Sequence, residues 1–270
     1  MYWISNIDTV VTIITVITAL GTIFGVIVPL AIKIYGYHSK IKYVKRTLHL
    51  LNKHVLITCG IFPGAHKTRT AVNDMVDLKE VRCLKAISDF CATVNINVYL
   101  QDEYLMTDID EIHIGGPVRN VTVSNLMTNY FENTFKILLP HEDKGHKNLP
   151  ANDKFIEYTE SETGFAFGAG GNRAKYLTDA KYGDYAILIR LIDRNEHKAM
   201  HILFGGHGLG TTKAVEYFTK HSKEIYNFTK ERGVEKSDYF FMLHVNNDGR
   251  HDSHIGLTDL TDIMFEENPG

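Results

Sequence analysis

The residues best suited to holding a ligand are two glycine-rich turns, EIHIGGPVRNVTVSNLM around Gly115-Gly116 and ILFGGHGLGTTKAVEYF around Gly205-Gly206. In each, an apolar run of strand character leads into glycines and then into a helical pattern. The first backbone amides of a helix have no partner inside it and point into the preceding loop. Glycine admits positive φ and close approach of a ligand, while the helix dipole favours a negative group there. Phosphate is the group such a turn suits.

Asn120 or Thr122 is expected to cap the first helix, and Thr211 or Thr212 the second. In the second turn Gly205, Gly206, Gly208 and Gly210 supply the freedom, and His207 supplies a side-chain donor to an anion. A single glycine turn would be explained by tight chain reversal alone. Two of them at the carboxyl ends of strands lie where open α/β sheets take their ligands. A third flexible turn, Gly168 to Arg173, offers the Arg173 guanidinium as a bidentate phosphate partner.

Other clusters read more simply. His251, Asp252 and His254 near Asp248 have metal-ligand chemistry, but HDSH on a turn is a polar loop, and no metal is expected. Asp153, Glu157, Glu160 and Glu162 make an acidic hairpin surface rather than an acid/base pair. The sequence contains no G-x-S-x-G elbow, Walker A sequence or HExxH helix. Cys59, Cys83 and Cys91 fit neither a zinc pair nor a disulfide framework, so reduced thiols are expected.

The elements that would position these turns begin in a membrane. The stretch TVVTIITVITALGTIFGVIVPLAI, Thr9 to Ile32, carries no charge and is long enough to span the hydrocarbon core. Asp8 precedes it, whereas Lys33, Lys40, Lys42, Lys45 and Arg46 follow, which places the N-terminus outside and the remainder in the cytoplasm. Tyr2, Trp3, Tyr35 and Tyr37 suit the two interfaces. Gly21 and Gly25 form a small-xxx-small pair that favours helix association and a homo-oligomer. Pro29 is expected to kink or end the straight part.

Three regions follow: a membrane anchor over 1–36, a basic amphipathic stalk over 37–53, and a cytoplasmic ligand-binding domain over 54–270. In the last, short apolar runs alternate with helical patterns. That alternation predicts an α/β fold, a Rossmann-like, mostly parallel sheet with an antiparallel hairpin portion. Strands are expected at His54 to Gly60, Ile96 to Leu100, Glu111 to Ile114, Lys136 to Leu139 and Tyr239 to Val245. Helices are expected at Val76 to Val94, Val121 to Phe131 and Lys213 to Ser222. Phe155 to Tyr158 should pair with Gly164 to Gly168 as a hairpin, and Tyr185 to Leu191 with Ala199 to Phe204. A formal charge of -3 and the absence of arginine-rich segments disfavour nucleic acid as a partner.

The GGP turn and the GGHGLGTT turn resemble those of Rossmann-type sensor domains, among them the lysine-decarboxylase-like (LOG or SLOG) superfamily, whose GG-x-GT loop holds nucleotide phosphates. A single-pass helix on such a domain resembles membrane-acting effectors of prokaryotic antiphage defence. The resemblance implies a nucleotide-type ligand and no separate cofactor. Ala214 stands where that superfamily has a catalytic glutamate, and Glu216 comes two residues late, so binding is implied more than phosphoribohydrolase activity. The expected function is a membrane-anchored sensor and effector, in which ligand binding controls association of the membrane helices. The rivals are a tethered N-glycosidase or NAD-cleaving enzyme, and a non-catalytic interaction module with structural glycines.

Overall fold

The structure is a computed structural model, and it describes residues 2–59, 78–100, 109–117, 120–140, 153–169, 173–178, 183–246 and 256–265. It divides into two compact units, Met1–Tyr43 and Val44–Gly270.

The first unit is helical: α1 (Tyr2–Thr22), a π-helical turn (Ile23–Ile27) and the larger part of α2 (Val28–Leu48). From Val11 onward this is a helix long and apolar enough to cross a membrane. Its large side chains, Ile13, Ile17, Phe24 and Ile32 among them, are exposed, as a lipid-facing surface would be. Thr15, Thr18 and Thr22 donate their hydroxyls to the carbonyls of Val11, Ile14 and Thr18, which satisfies them without water. Pro29 neither ends the helix nor breaks it. Having no N–H, proline removes one rung of the ladder, and the turn before it widens: the Val28 amide bonds back to the carbonyl of Ile23, five residues away.

The second unit is mixed α/β and starts at Val44, within the segment expected to be a stalk. Its larger sheet has the order β11-β10-β8-β9-β3-β1-β2. Strands β1 (His54–Cys59), β2 (Asn97–Leu100), β3 (Asp110–Ile114) and β9 (Lys198–Gly205) are mutually parallel. Strands β8 (Asp184–Asp193), β10 (Tyr239–Val245) and β11 (Thr258–Asp259) extend it antiparallel. This is the expected Rossmann-like sheet with an antiparallel portion, and the expected β8–β9 hairpin forms.

Residues 155–168 pair differently from the expected hairpin. A second sheet has the order β5-β4-β6-β7, so β4 (Phe135–Pro140) lies between β5 (Ile156–Thr159) and β6 (Gly164–Phe167), with β7 (Ala174–Leu177) outside. The more apolar FKILLP and GFAF take the middle. The polar IEYT takes an edge, where Tyr158 remains exposed.

Helices α3 (Leu78–Ala92), α5 (Gly208–Lys220) and α6 (Ser222–Glu231) join α4 (Val121–Phe131) and the short α7 (Thr261–Phe265). In α3, Cys83, Ile87, Phe90 and Cys91 recur at helical spacing and are buried. Phe90 meets Phe218 of α5 at 5.6 Å, and Phe218 meets His201 of β9 at 5.1 Å, so α3 and α5 cover the His201 face of the sheet. The opposite face carries Ile202 and Phe204 and packs on α4 and the second sheet. Phe135 is central there, with ring centroids 5.7 Å from Phe165 and Phe167, 5.9 Å from Phe204 and 6.4 Å from Phe240.

Candidate functional site

β3 and β9 are neighbours and parallel, so their glycine turns lie side by side at one sheet edge. The Gly115 amide, at φ 101°, donates to the carbonyl of Leu203 at 3.0 Å, which joins the two turns. The chain leaves β1 for α3 on one face, β3 for α4 on the other, and β9 for α5 on the first again. Where successive connections leave on opposite faces a crevice opens at the carboxyl ends of the strands. β3 lies between β1 and β9, and the helix that follows it covers the face opposite to theirs.

Asn120 caps α4 as expected. Its Oδ1 accepts the Val123 amide at 3.2 Å, and its Nδ2 donates to the Ile114 carbonyl at 3.2 Å and, more weakly, to Thr58 Oγ1 at 3.4 Å. Thr122 occupies the first turn of α4 without capping it. Behind Asn120 runs a buried polar series. Thr58 Oγ1 lies 2.7 Å from His113 Nδ1, and His113 Nε2 lies 2.9 Å from Glu111 Oε2, at ion-pair distance but off hydrogen-bond angle. Lys198 Nζ closes the series on Glu111 Oε1 at 3.1 Å. Burial pushes the Glu111 carboxyl up, but His113 and Lys198 outweigh it and hold it below the usual carboxylate range. His113 thus stands between a hydroxyl on its Nδ1 side and a carboxylate on its Nε2 side, and its tautomer sets which atom of the Thr58–His113 contact donates.

At the second turn the free amides already have an anion, and it belongs to the chain. Asp184, at the start of β8, is 2% exposed. Its Oδ2 accepts the amides of Gly210 at 2.6 Å and His207 at 3.1 Å, and its Oδ1 accepts the amide of Tyr185 at 2.7 Å. Burial raises the Asp184 carboxyl despite these amides and the neighbouring His207. His207 is the residue before α5, but its side chain makes no cap; its Nε2 lies 3.5 Å from Thr178 Oγ1. Nor do the threonines cap: Thr211 Oγ1 accepts the Gly205 amide at 3.1 Å, and Thr212 Oγ1 donates to the Gly208 carbonyl at 2.8 Å.

Close chain packing accounts for three of the glycines. A Cβ at Gly205 would sit 2.4 Å from the Gly210 backbone, at Gly206 2.7 Å from Asp184 Oδ1, and at Gly210 2.4 Å from the Tyr185 carbonyl. At Gly116 it would press on Phe204 Cδ2 at 3.1 Å, and at Gly208 only on the flexible Lys79 side chain at 3.3 Å.

Arg173 lies at the opposite end of β7 from Thr178 and is engaged there. Its Nη1 pairs with Glu157 at 2.8 Å, Nε donates to the Gly168 carbonyl at 3.0 Å and Nη2 to the Asn133 carbonyl at 3.2 Å. Glu162 pairs with Lys175, so the expected acidic surface is neutralised locally. Among the described residues no group of three or more His, Cys, Asp or Glu is arranged to hold a metal ion. His251, Asp252 and His254 lie outside the described residues.

Asp184, Thr58, Glu111 and His113 are not singled out by motif. Glu111 and His113 alternate within EIHI and so share a face, which is the signal that marks them as a pair. Asp184 is a lone carboxylate opening a long apolar strand. In comparisons with known proteins, no family model and no curated protein matches this chain.

Proposed function

We propose that the chain is a membrane-anchored sensor and effector whose α/β domain takes a nucleotide-type, phosphate-bearing ligand in the crevice beside Gly115-Gly116. The membrane helix would run with its N-terminus outside and the domain in the cytoplasm, as the lysines after Ile32 suggest. The observation that carries the reading is the juxtaposition of the β3 and β9 glycine turns at the carboxyl edge where the helices change sides. The two turns then differ in role. The Gly115 turn and the start of α4 receive the phosphate, while the Gly205 turn, with Asp184 on its amides, forms the facing wall.

The test is thermal melting of the full chain in lipid nanodiscs against a panel of cyclic and linear nucleotides. A ligand at one hundred times its dissociation constant stabilises the fold by about 2.7 kcal/mol, a shift of several degrees. Thr122→Asp places a negative charge in the first turn of α4, which favours the helix but repels a phosphate. The variant should melt like the parent without nucleotide and lose the shift. If no nucleotide moves the melting of the parent, the reading fails.

One observation favours an enzyme instead: the order of Thr58, His113 and Glu111, at 2.7 and 2.9 Å, is that of a hydroxyl beside a general base and its carboxylate. Consumption of a panel member by the parent, abolished in Thr58→Val, would replace the sensor reading with that one.

A further inference from the structure

β9 has the Gly205 turn at one end and grips the foot of α2 at the other. His201 Nε2 lies 2.6 Å from the carbonyl oxygen of Leu48, at the last turn of α2. A carbonyl only accepts, so Nε2 carries the hydrogen and donates it. The final carbonyls of a helix have no partner inside it, and this one finds its partner on the sheet. Both residues are fully buried. The chain then turns at His49, in the left-handed region at φ 41°, and is pinned again at Asn52.

The Asn52 amide donates to Asp110 Oδ2 at 2.7 Å, while Asp110 Oδ1 accepts the amide of Ala199 of β9 at 2.7 Å. Asn52 Nδ2 donates to the carbonyl of His197, the residue before β9, at 3.2 Å. Thr47 adds a bond to the Ser222 carbonyl at the start of α6, at 2.6 Å. Leu48 and Asn52 are thus held through residues 197–201, while Gly205 at the other end is held by Thr211 Oγ1. A paired strand scarcely stretches, at about 3.3 Å per residue, so displacement of one end is felt at the other.

We infer that β9 is the transmission element of the domain, passing a change at the Gly205 turn to the exit of α2 through His201 and Ala199. As a device for a signal it rests on the sensor reading, but the coupling itself is a property of the fold. His201 is a positioning residue in it. Coupling of this kind is reciprocal, so either end can be perturbed and the other read.

The experiment is amide hydrogen exchange on the full chain in lipid nanodiscs. Thr211→Val removes the acceptor of the Gly205 amide, and exchange at the Asn52 amide should accelerate about fivefold or more, within the usual range of site coupling. His201→Leu should accelerate the Gly205 and Gly210 amides, and His201→Gln, which keeps a side-chain N–H donor, should restore them. The Phe241 amide on β10 serves as the control for global unfolding. If Thr211→Val speeds exchange at Gly205 and leaves Asn52 at the parental rate, the inference is overturned. Coupling that persists while every nucleotide fails to shift melting sinks only the sensor reading; melting shifts without coupling sink only the role of β9.

Discussion

Asp184 holds the Gly210 amide at 2.6 Å and thereby occupies, with a side chain of the same molecule, the place a phosphate would take at the start of α5. An anion entering that turn would have to displace a carboxylate that also serves His207 and Tyr185. The free amides of the second turn are therefore engaged within the chain, which sets the first prediction.

Asp184→Ala leaves the Tyr185, His207 and Gly210 amides without their acceptor. Buried unsatisfied donors cost about 1 to 3 kcal/mol each, offset in part by relaxation, so a net loss of about 3 kcal/mol is expected. Asp184→Asn, with one carbonyl oxygen left, should fall between. Denaturant unfolding of the full chain in detergent checks this. An Ala variant as stable as the parent would mean that Asp184 does not cap α5.

Gly206→Val should fail to fold or melt far below the parent, because its Cβ would meet Asp184 Oδ1 at 2.7 Å and the Thr178 methyl at 3.2 Å. Gly208→Ala should be tolerated, since only the Lys79 side chain must move. Melting temperatures of the two variants decide it.

Acid stability should depend on His201. Burial, chiefly, lowers its imidazole from 6.5 to about 3, with Arg190, His49 and His113 acting in the same sense. A group that prefers to be neutral when folded stabilises above its unfolded value, and loses that contribution as pH falls from 6.5 toward 3. The loss can reach about 1.4 kcal/mol per pH unit. His201→Gln removes the titration, so its stability should fall less steeply over that window; parallel curves would show that His201 is not the group responsible.

Phe135→Ala should cost about 3 to 5 kcal/mol, the range for a buried aromatic whose cavity cannot collapse. Phe135 touches rings from β6, β9 and β10, so both sheets should lose protection together in hydrogen exchange. Loss confined to the smaller sheet would show that the two do not share a core.

The parallel strands, the β8–β9 hairpin and the side-by-side glycine turns were legible because each depends on local pattern: apolar runs, a polar turn, glycine before a helix. The cap at Asn120 was legible for the same reason. The partner of the second turn was not, because Asp184 reaches His207 and Gly210 across sequence separations of 23 and 26 residues. The order of the second sheet was hidden likewise, since FKILLP and IEYT pair across a long intervening segment. Arg173 has the right chemistry for a phosphate, but its sequence position gives no hint that β7 carries it away from the turns. The docking of Leu48 on His201 is equally invisible locally, as nothing in VKRTLHL says where a basic helix stops being a stalk.

The π turn before Pro29 has a consequence for any contact along the N-terminal apolar helix. One extra residue in a turn sets the azimuth of all that follows back by about 100° relative to an unbroken α-helix. The Thr15, Thr18 and Thr22 stripe and the residues beyond Val28 therefore belong to different seams, as after a skip residue in a coiled coil. Gly25, inside the widened turn, is no longer stacked one α-turn above Gly21. A partner helix matched to the N-terminal seam must part from this one near Ile23, unless it carries the same insertion.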